Sequence, residues 1–101
     1  MAIAKVSIIP VGTGSPSLSG HIARAVKVLR QEKNLKYELT SMGTIIEGDL
    51  DNILSVIKKM HRAALAEGVV RVVTTIEIDD RQDKPSTMSS KVESVMKRLQ
   101  S

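Results

Sequence analysis

One short hairpin signal constrains this chain more than any other feature. Residues 37–51 read Tyr-Glu-Leu-Thr-Ser-Met-Gly-Thr-Ile-Ile-Glu-Gly-Asp-Leu-Asp, where two extended runs meet at a Met-Gly turn and the second leads into a capped helix. Helical patterns flank this hairpin, and a further extended run lies beyond each of them. The resulting order β-α-β-β-α-β places four strands in one antiparallel sheet and two helices on one face. The sequence therefore predicts an α+β fold.

The element boundaries follow from the period of the apolar residues. Runs with a period of two predict strands over Ile3 to Val11, Lys36 to Ser41, Thr44 to Gly48 and Val69 to Asp79. Runs with a helical period predict helices from Ser17 or Ser19 to residues 31–34, from Asp49 or Asp51 to Gly68, and from Ser86 or Thr87 onward. We expect the first two helices to bury Leu18, Ile22, Ala25, Val26 and Leu29, and Leu50, Ile53, Leu54, Ile57, Met60 and Ala64.

Three features indicate that the folded chain associates with copies of itself. Both helices are expected on one face of the sheet, which leaves the other face with Ile3, Ile9 and Val73 among polar groups. The fourth strand is long and lies at an edge of the sheet. The C-terminal helix adds an apolar stripe of Met88, Val92, Val95, Met96 and Leu99. Uncovered apolar surface of this kind favours self-association, so we expect a homo-oligomer.

The composition limits the class of protein. A chain of 101 residues forms one domain, residues 1–101, with an aliphatic core, because Tyr37 is the only aromatic residue. The absence of cysteine excludes disulfides, thiolate catalysis and cysteine metal sites. Neither a secretory signal nor a run long enough to span a membrane is evident, so we expect a cytoplasmic protein.

The net charge of +4 does not by itself indicate a nucleic-acid partner. Lys and Arg recur on each helix opposite its apolar stripe, as they do on most solvated helices. An RNA-binding module with this strand order also needs aromatic residues on its central strands, and the sequence has none there. We therefore favour no nucleic-acid partner, and keep an RNA-binding module as the less favoured alternative.

No pattern indicates catalysis. The loop Gly12 to Ser17 begins like a dinucleotide-binding motif, but Ser17 replaces its third glycine. His21 and His61 have no second ligand at a spacing suited to a metal. No serine, histidine and acid combination can be assembled from spacing. The sequence thus predicts no catalytic residues, no metal site and no cofactor.

The predicted topology gathers polar groups at both ends of the sheet. One end collects Glu47, Asp49, Asp51, Asp79, Asp80 and Asp83, which are mostly explained as helix caps and loop residues. Glu47 differs, since it lies within a strand and either faces solvent or serves a ligand. At the other end the Met42-Gly43 turn approaches the loop after the first strand. Thr13, Thr40, Thr44 and Met42 form a small polar pocket there, or are simply good strand residues.

Four segments carry a resemblance to a known family. They are Val6-Ser-Ile-Ile-Pro-Val-Gly12, Tyr37-Glu-Leu-Thr-Ser-Met-Gly-Thr-Ile-Ile-Glu-Gly48, Val56-Ile-Lys-Lys-Met-His61, and Arg71-Val-Val-Thr-Thr-Ile-Glu-Ile-Asp-Asp-Arg-Gln-Asp-Lys84. Over nearly all 101 residues the chain resembles the small thiamine-binding proteins of bacteria and archaea, which are related to YkoF. Ser41 stands where the family's Pro-Met-Gly-Thr run has a proline.

The resemblance implies a fold and a function. The fold is a ferredoxin-like subunit with an additional C-terminal helix, assembled into dimers and tetramers. The function is non-enzymatic binding of thiamine or its hydroxymethylpyrimidine moiety, in storage, delivery or sensing. The binding residues carried over are Ser7, Thr40, Met42, Thr44 and Glu47. The alternative is a metabolite-sensing interaction domain with a different small ligand.

Overall fold

A four-stranded antiparallel sheet with two helices on one face forms the body of the computed structural model, which describes residues 1–12, 19–65, 68–83 and 88–100. Side chains of Ser19 and His21 lie outside this description, as do the predicted Thr13, Ser17, Leu18, Ser86 and Thr87. The elements are β1 (Ala2–Pro10), α1 (Ser19–Arg30), β2 (Lys36–Thr40), β3 (Gly43–Gly48), α2 (Leu50–Ala64), β4 (Val72–Asp80) and α3 (Met88–Gln100).

The strand order is β2-β3-β1-β4, with every neighbouring pair antiparallel. This arrangement confirms the predicted α+β topology with an extra C-terminal helix. Ala2 lies opposite both Gly48 and Asp80, so β3 and β4 end at the same end of the sheet. That end, with the start of α2, is called the acidic end below, and the end with the hairpin turn is called the turn end.

The core lies between the sheet and the two helices and is entirely aliphatic. Alternate residues of β1, Ala2, Ala4 and Val6, face the helices and are buried, as period-two patterning requires. Small side chains in the central strand let α1 and α2 pack closely over it. The largest fully enclosed side chains are Leu29, Ile46, Ile53, Met60, Val6 and Val56. Each contributes about 1.5–3 kcal/mol through burial.

Helix α2 is rotated relative to its predicted buried stripe. Leu54 is 41% exposed, whereas Val56, which the prediction left out, is fully buried. The reason is tertiary, because α2 lies mainly over the central strand β1, and the face that it turns to that strand decides which of its side chains are buried. Asp49 occupies the N-cap position as expected, but its side chain makes no capping hydrogen bond.

Other boundaries differ by a few residues from the prediction. β4 begins at Val72 rather than at Val69, although Val69 is buried. Arg71 still extends the sheet, since its carbonyl accepts a 2.9 Å hydrogen bond from the Val11 amide. Gly68 has a φ of +84°, the left-handed conformation expected after the end of a helix. Arg24 is half-buried rather than fully solvated as its spacing had indicated.

Candidate functional site

The turn end of the sheet is uneven, and this unevenness creates a cavity. β1 and β3 pair only as far as Val6 opposite Thr44, whereas β1 and β4 continue to Pro10 opposite Val72. The last four residues of β1 therefore have β4 on one side and no β3 residue on the other. The hairpin turn between β2 and β3 lies beside this gap.

The hairpin is held close to β1 by a glycine. Gly43 has a φ of +148°, and a Cβ atom at this position would lie 2.7 Å from the Val6 carbonyl oxygen. Contacts under 3 Å to a backbone atom cannot be relieved by a side-chain rotation, so a larger residue must displace the hairpin. The sequence identifies Gly43 as a turn residue, but its close approach to β1 is visible only in the structure.

Thr40 fixes the turn from the other side. Its hydroxyl donates a 2.8 Å hydrogen bond to the Gly43 carbonyl and accepts a 3.2 Å hydrogen bond from the Met42 amide. Local side-chain bonds of this type hold a turn without proline. They explain how the hairpin keeps its shape with Ser41 where proline was expected. They also leave the Thr40 hydroxyl with only one further lone pair for a ligand.

A cavity of about 390 Å³ occupies the space between the end of β1, the hairpin and α1. Its walls are mainly aliphatic, with Ile22, Ala25 and Val26 of α1 on one side and Leu39 and Met42 of the hairpin on the other. Ile22, Leu39 and Met42 are all substantially exposed, so the mouth of the cavity has an apolar rim.

The polar groups of the cavity are hydroxyls. Ser7, Thr40, Ser41 and Thr44 all line it, and Thr44 is almost fully buried. None of the described lining residues has an ionisable side chain. A neutral, largely apolar cavity with a few hydroxyls suits an uncharged ring whose edge forms hydrogen bonds.

Four of the five predicted ligand residues meet in this cavity, namely Ser7, Thr40, Met42 and Thr44. Glu47 lies elsewhere. It follows Thr44 by three residues, or about 10 Å along an extended strand, and points to the face of the sheet away from the helices. Within one chain, the five residues therefore do not surround a single ligand.

Glu47 has unusual surroundings for a strand carboxylate. The residue is only 5% exposed and lies between Ile3 of β1 and Lys36 of β2. No hydrogen bond or ion pair joins its carboxylate to another described residue. A strand carboxylate that is this little exposed and has no such partner is a candidate for contact with a group from outside the chain.

The apolar wall contributed by α1 was not recognised from the sequence. Ile22, Ala25 and Val26 were all expected in the core, and Met60 at the base of the cavity was expected there as well. Periodicity identifies the face of a helix that is turned inward. It does not distinguish a side chain that packs against the sheet from one that lines a space beside it.

The acidic end of the sheet does not form a metal site among the described residues. Asp79 forms an ion pair with Lys91, and Asp80 accepts a 3.1 Å hydrogen bond from Gln82. Asp83 accepts hydrogen bonds of 2.6 and 3.0 Å from Arg81, which raise the pKa of the Arg81 guanidinium above its ordinary value. These carboxylates are thus engaged by neighbouring side chains.

A four-stranded ferredoxin-like sheet with a neutral cavity at one end defines a small α+β protein with a candidate ligand site. The chain belongs to the thiamine-binding protein family, whose sequence pattern matches residues 4–96. Within the described residues, no helix is long and apolar enough to cross a membrane.

Relatives and solved structures support this assignment along almost the whole chain. The UPF0045 protein YqgV of Bacillus subtilis is 50% identical over 103 residues, covering 99% of each chain. The crystal structure of the hypothetical protein MJ1052 of Methanocaldococcus jannaschii superimposes with a TM-score of 0.86 at 41% identity, covering 94% of this chain and 95% of that one. A proposed thiamine biosynthesis or salvage protein of Thermotoga maritima, TM0486, has the same fold, with a TM-score of 0.77 at 22% identity over 93% and 97% of the two chains.

Proposed function

We propose that this protein binds thiamine, or the hydroxymethylpyrimidine moiety of thiamine, in the cavity at the turn end and does not convert it chemically. The observation that carries the proposal is the cavity itself. Its volume of about 390 Å³ falls within the range of roughly 300–1,000 Å³ typical of small-molecule sites. Membership of a family described as thiamine-binding supports the choice of ligand.

The lining of the cavity matches the pyrimidine part of the ligand better than the thiazolium part. An aminopyrimidine presents donors and acceptors along one edge, and the Thr44 hydroxyl, on the helix side of the sheet, can both donate and accept. Its faces are apolar and contact Ile22 and Met42. Because none of the described residues that line the cavity is aromatic, the polarisable thioether of Met42 takes the role that a stacking ring has in other proteins.

The proposal requires a homodimer or homotetramer if Glu47 takes part. One chain places Glu47 on the open face of the sheet, away from the cavity. Its carboxylate reaches a ligand only when the open face of one subunit lies against the cavity region of another. Exposed Ile9 and Val73 on that open face supply apolar surface for such a contact. We place the protein in the cytoplasm, with storage, delivery or sensing of the ligand as its role.

Isothermal titration calorimetry tests the ligand directly, using thiamine and hydroxymethylpyrimidine in separate titrations. We expect both to bind, and Thr44→Val to weaken the affinity about tenfold, the effect of losing one hydrogen bond of about 1–1.5 kcal/mol. The control is Ser55→Ala, which removes a hydroxyl from an exposed position of α2 outside the cavity. Absence of heat and of thermal stabilisation with either compound overturns the proposal.

The non-enzymatic part of the proposal has its own test. Thiamine is incubated with the protein at a stoichiometric ratio, released by denaturation and measured by mass spectrometry. We expect quantitative recovery of the unchanged compound. Formation of a cleaved or modified product at a rate above that of buffer alone contradicts the proposal.

A further inference from the structure

Helix α3 extends from the body of the subunit with its apolar stripe uncovered. None of its side chains is buried, and Val92, Val95, Met96 and Leu99 are between 50% and 73% exposed. The ion pair from Lys91 to Asp79 tethers the start of the helix to β4. Exposure of four large aliphatic side chains on one stripe of a helix is unfavourable in water, and covering the stripe removes that cost.

A groove on the helix side of the sheet also exposes aliphatic side chains and so complements the apolar stripe of α3. Between α2 and β4, the side chains of Leu54, Ile76 and Ile78 are between 38% and 46% exposed. Part of this surface lines an open groove of about 440 Å³, with Leu54 and Ile57 of α2 on one wall and Ile76 on the other. The groove therefore offers an aliphatic floor beside a helix.

The two ends of the groove carry opposite charge. At the acidic end lie Asp80, the last residue of β4, and Asp51, one turn before Leu54 on the same side of α2. Toward the turn end the groove is lined by Lys58 and Arg62. A 2.6 Å hydrogen bond between His61 and Thr74 joins α2 to β4 at that end.

The charges of α3 favour one of its two possible orientations along the groove. Lys97 and Arg98 lie in its last turn, and Glu93 lies nearer its start. The 13 residues of α3 span about 20 Å, which is close to the roughly 22 Å of the 15 residues of α2 along the groove. The favourable orientation places the last turn of α3 at Asp51 and Asp80, so that α3 runs antiparallel to α2.

The chain's own α3 cannot readily enter in this orientation. β4 leaves the sheet at the acidic end, so a helix folded back into its own groove starts there and ends beside Lys58 and Arg62. Its basic last turn then meets two like charges. A helix from another copy is free to enter from the opposite direction, where its charges are matched.

We propose that α3 of one copy packs into the α2–β4 groove of a second copy, with Lys97 and Arg98 directed toward Asp51 and Asp80. The exchange is reciprocal about a two-fold axis, so that both helices and both grooves are covered. This inference rests on the self-association proposed above but not on the identity of the ligand.

Cross-linking between two differently tagged chains tests the contact. The chain has no cysteine, so Leu54→Cys in one chain and Val95→Cys in the other introduce the only thiols. With a short bismaleimide at tens of micromolar protein, we expect coupling about a hundredfold faster than the Lys33→Cys and Val95→Cys control, because docking raises the local concentration to about the millimolar range. Lys33 is exposed and lies outside the groove.

A chain carrying both Leu54→Cys and Val95→Cys separates exchange from self-docking. Cross-linked dimers support the proposal, whereas an intrachain link in a monomer overturns it. Analytical ultracentrifugation of the unmodified protein distinguishes the remaining outcomes. A monomer at all concentrations removes both the proposed self-association and the exchange, whereas an oligomer without a Leu54–Val95 link removes the exchange alone.

Charge reversal tests the orientation. We expect Lys97→Glu with Arg98→Glu to weaken dimerisation about tenfold, and Asp51→Lys with Asp80→Lys in the partner chain to restore it. A purely structural role of α3 gives no such restoration. Equal affinities with and without the compensating changes therefore contradict the proposed direction.

Discussion

The two sides of this small sheet differ in how completely a single chain covers their apolar surface. On the β2–β3 side, α1, the hairpin and the end of β1 enclose a cavity, and its turn is fixed by Thr40 and Gly43. On the β4 side, Leu54, Ile76 and the whole of α3 are left uncovered. The comparison teaches that a single chain encloses the candidate cavity with its own elements but leaves much apolar surface exposed on the β4 side.

The largest expected effect concerns two adjacent residues of α2. Ile53→Ala removes a fully buried side chain and is expected to lower the free energy of unfolding by about 2–5 kcal/mol, from lost burial and the resulting cavity. The same truncation at Leu54, at protein concentrations too low for association, is expected to cost less than about 1 kcal/mol. Urea denaturation measures both. Similar losses of unfolding free energy for the two variants contradict the distinction between a covered and an uncovered side.

Gly43→Ala is expected to have the next largest effect, on the cavity side. The added Cβ meets the Val6 carbonyl oxygen, so the hairpin moves away from β1 and stability falls by about 2–3 kcal/mol. Binding of thiamine is lost along with the cavity. Gly20→Ala in α1 is the control, because no atom lies within 4 Å of the added Cβ and alanine favours helix. Unchanged thiamine affinity in Gly43→Ala contradicts the placement of the site.

Thr40→Val separates the shape of the turn from contact with a ligand. It deletes both hydrogen bonds that the hydroxyl makes with the hairpin and is expected to lower stability by about 1–2 kcal/mol. Amide hydrogen exchange at Met42 should accelerate in the same variant, without any ligand present. If the Met42 amide stays as protected from exchange as in the wild type, the rigidity of the turn is due to Gly43 alone.

The smallest effect on the stability of the isolated subunit is expected for a substitution in the exposed stripe of α3. Val95→Asp introduces a charge into the exposed stripe of α3 and should change the stability of the monomer by less than about 0.5 kcal/mol. Its effect on the sedimentation coefficient should be large, since the charge prevents burial of the stripe. Glu93→Asp serves as a control on the same helix. A monomer destabilised by more than 1–2 kcal/mol instead indicates that α3 packs within its own chain.

The sequence predicted the local structure well, but it predicted less well which side chains are buried. The alternation of Ala4, Val6 and Ile8 predicted the face of β1 that meets the helices, and those residues do face the helices. The periodicity of α2 failed at Leu54 and Val56, because a rotation of about one residue depends on how the helix lies across the sheet. For the site, four of five residues predicted by resemblance line one cavity, and the fifth, Glu47, lies on the other face.

By itself, the sequence determined the order of strands and helices, the hairpin at Met42-Gly43 and membership of the thiamine-binding protein family, because turn chemistry, apolar period and motif are all local properties. Only the tertiary structure decided that β3 stops short beside β1, that α1 supplies a cavity wall and that α3 is left without cover. Those features depend on the relative lengths and positions of elements distant in the chain. A residue's own neighbours in sequence do not specify them.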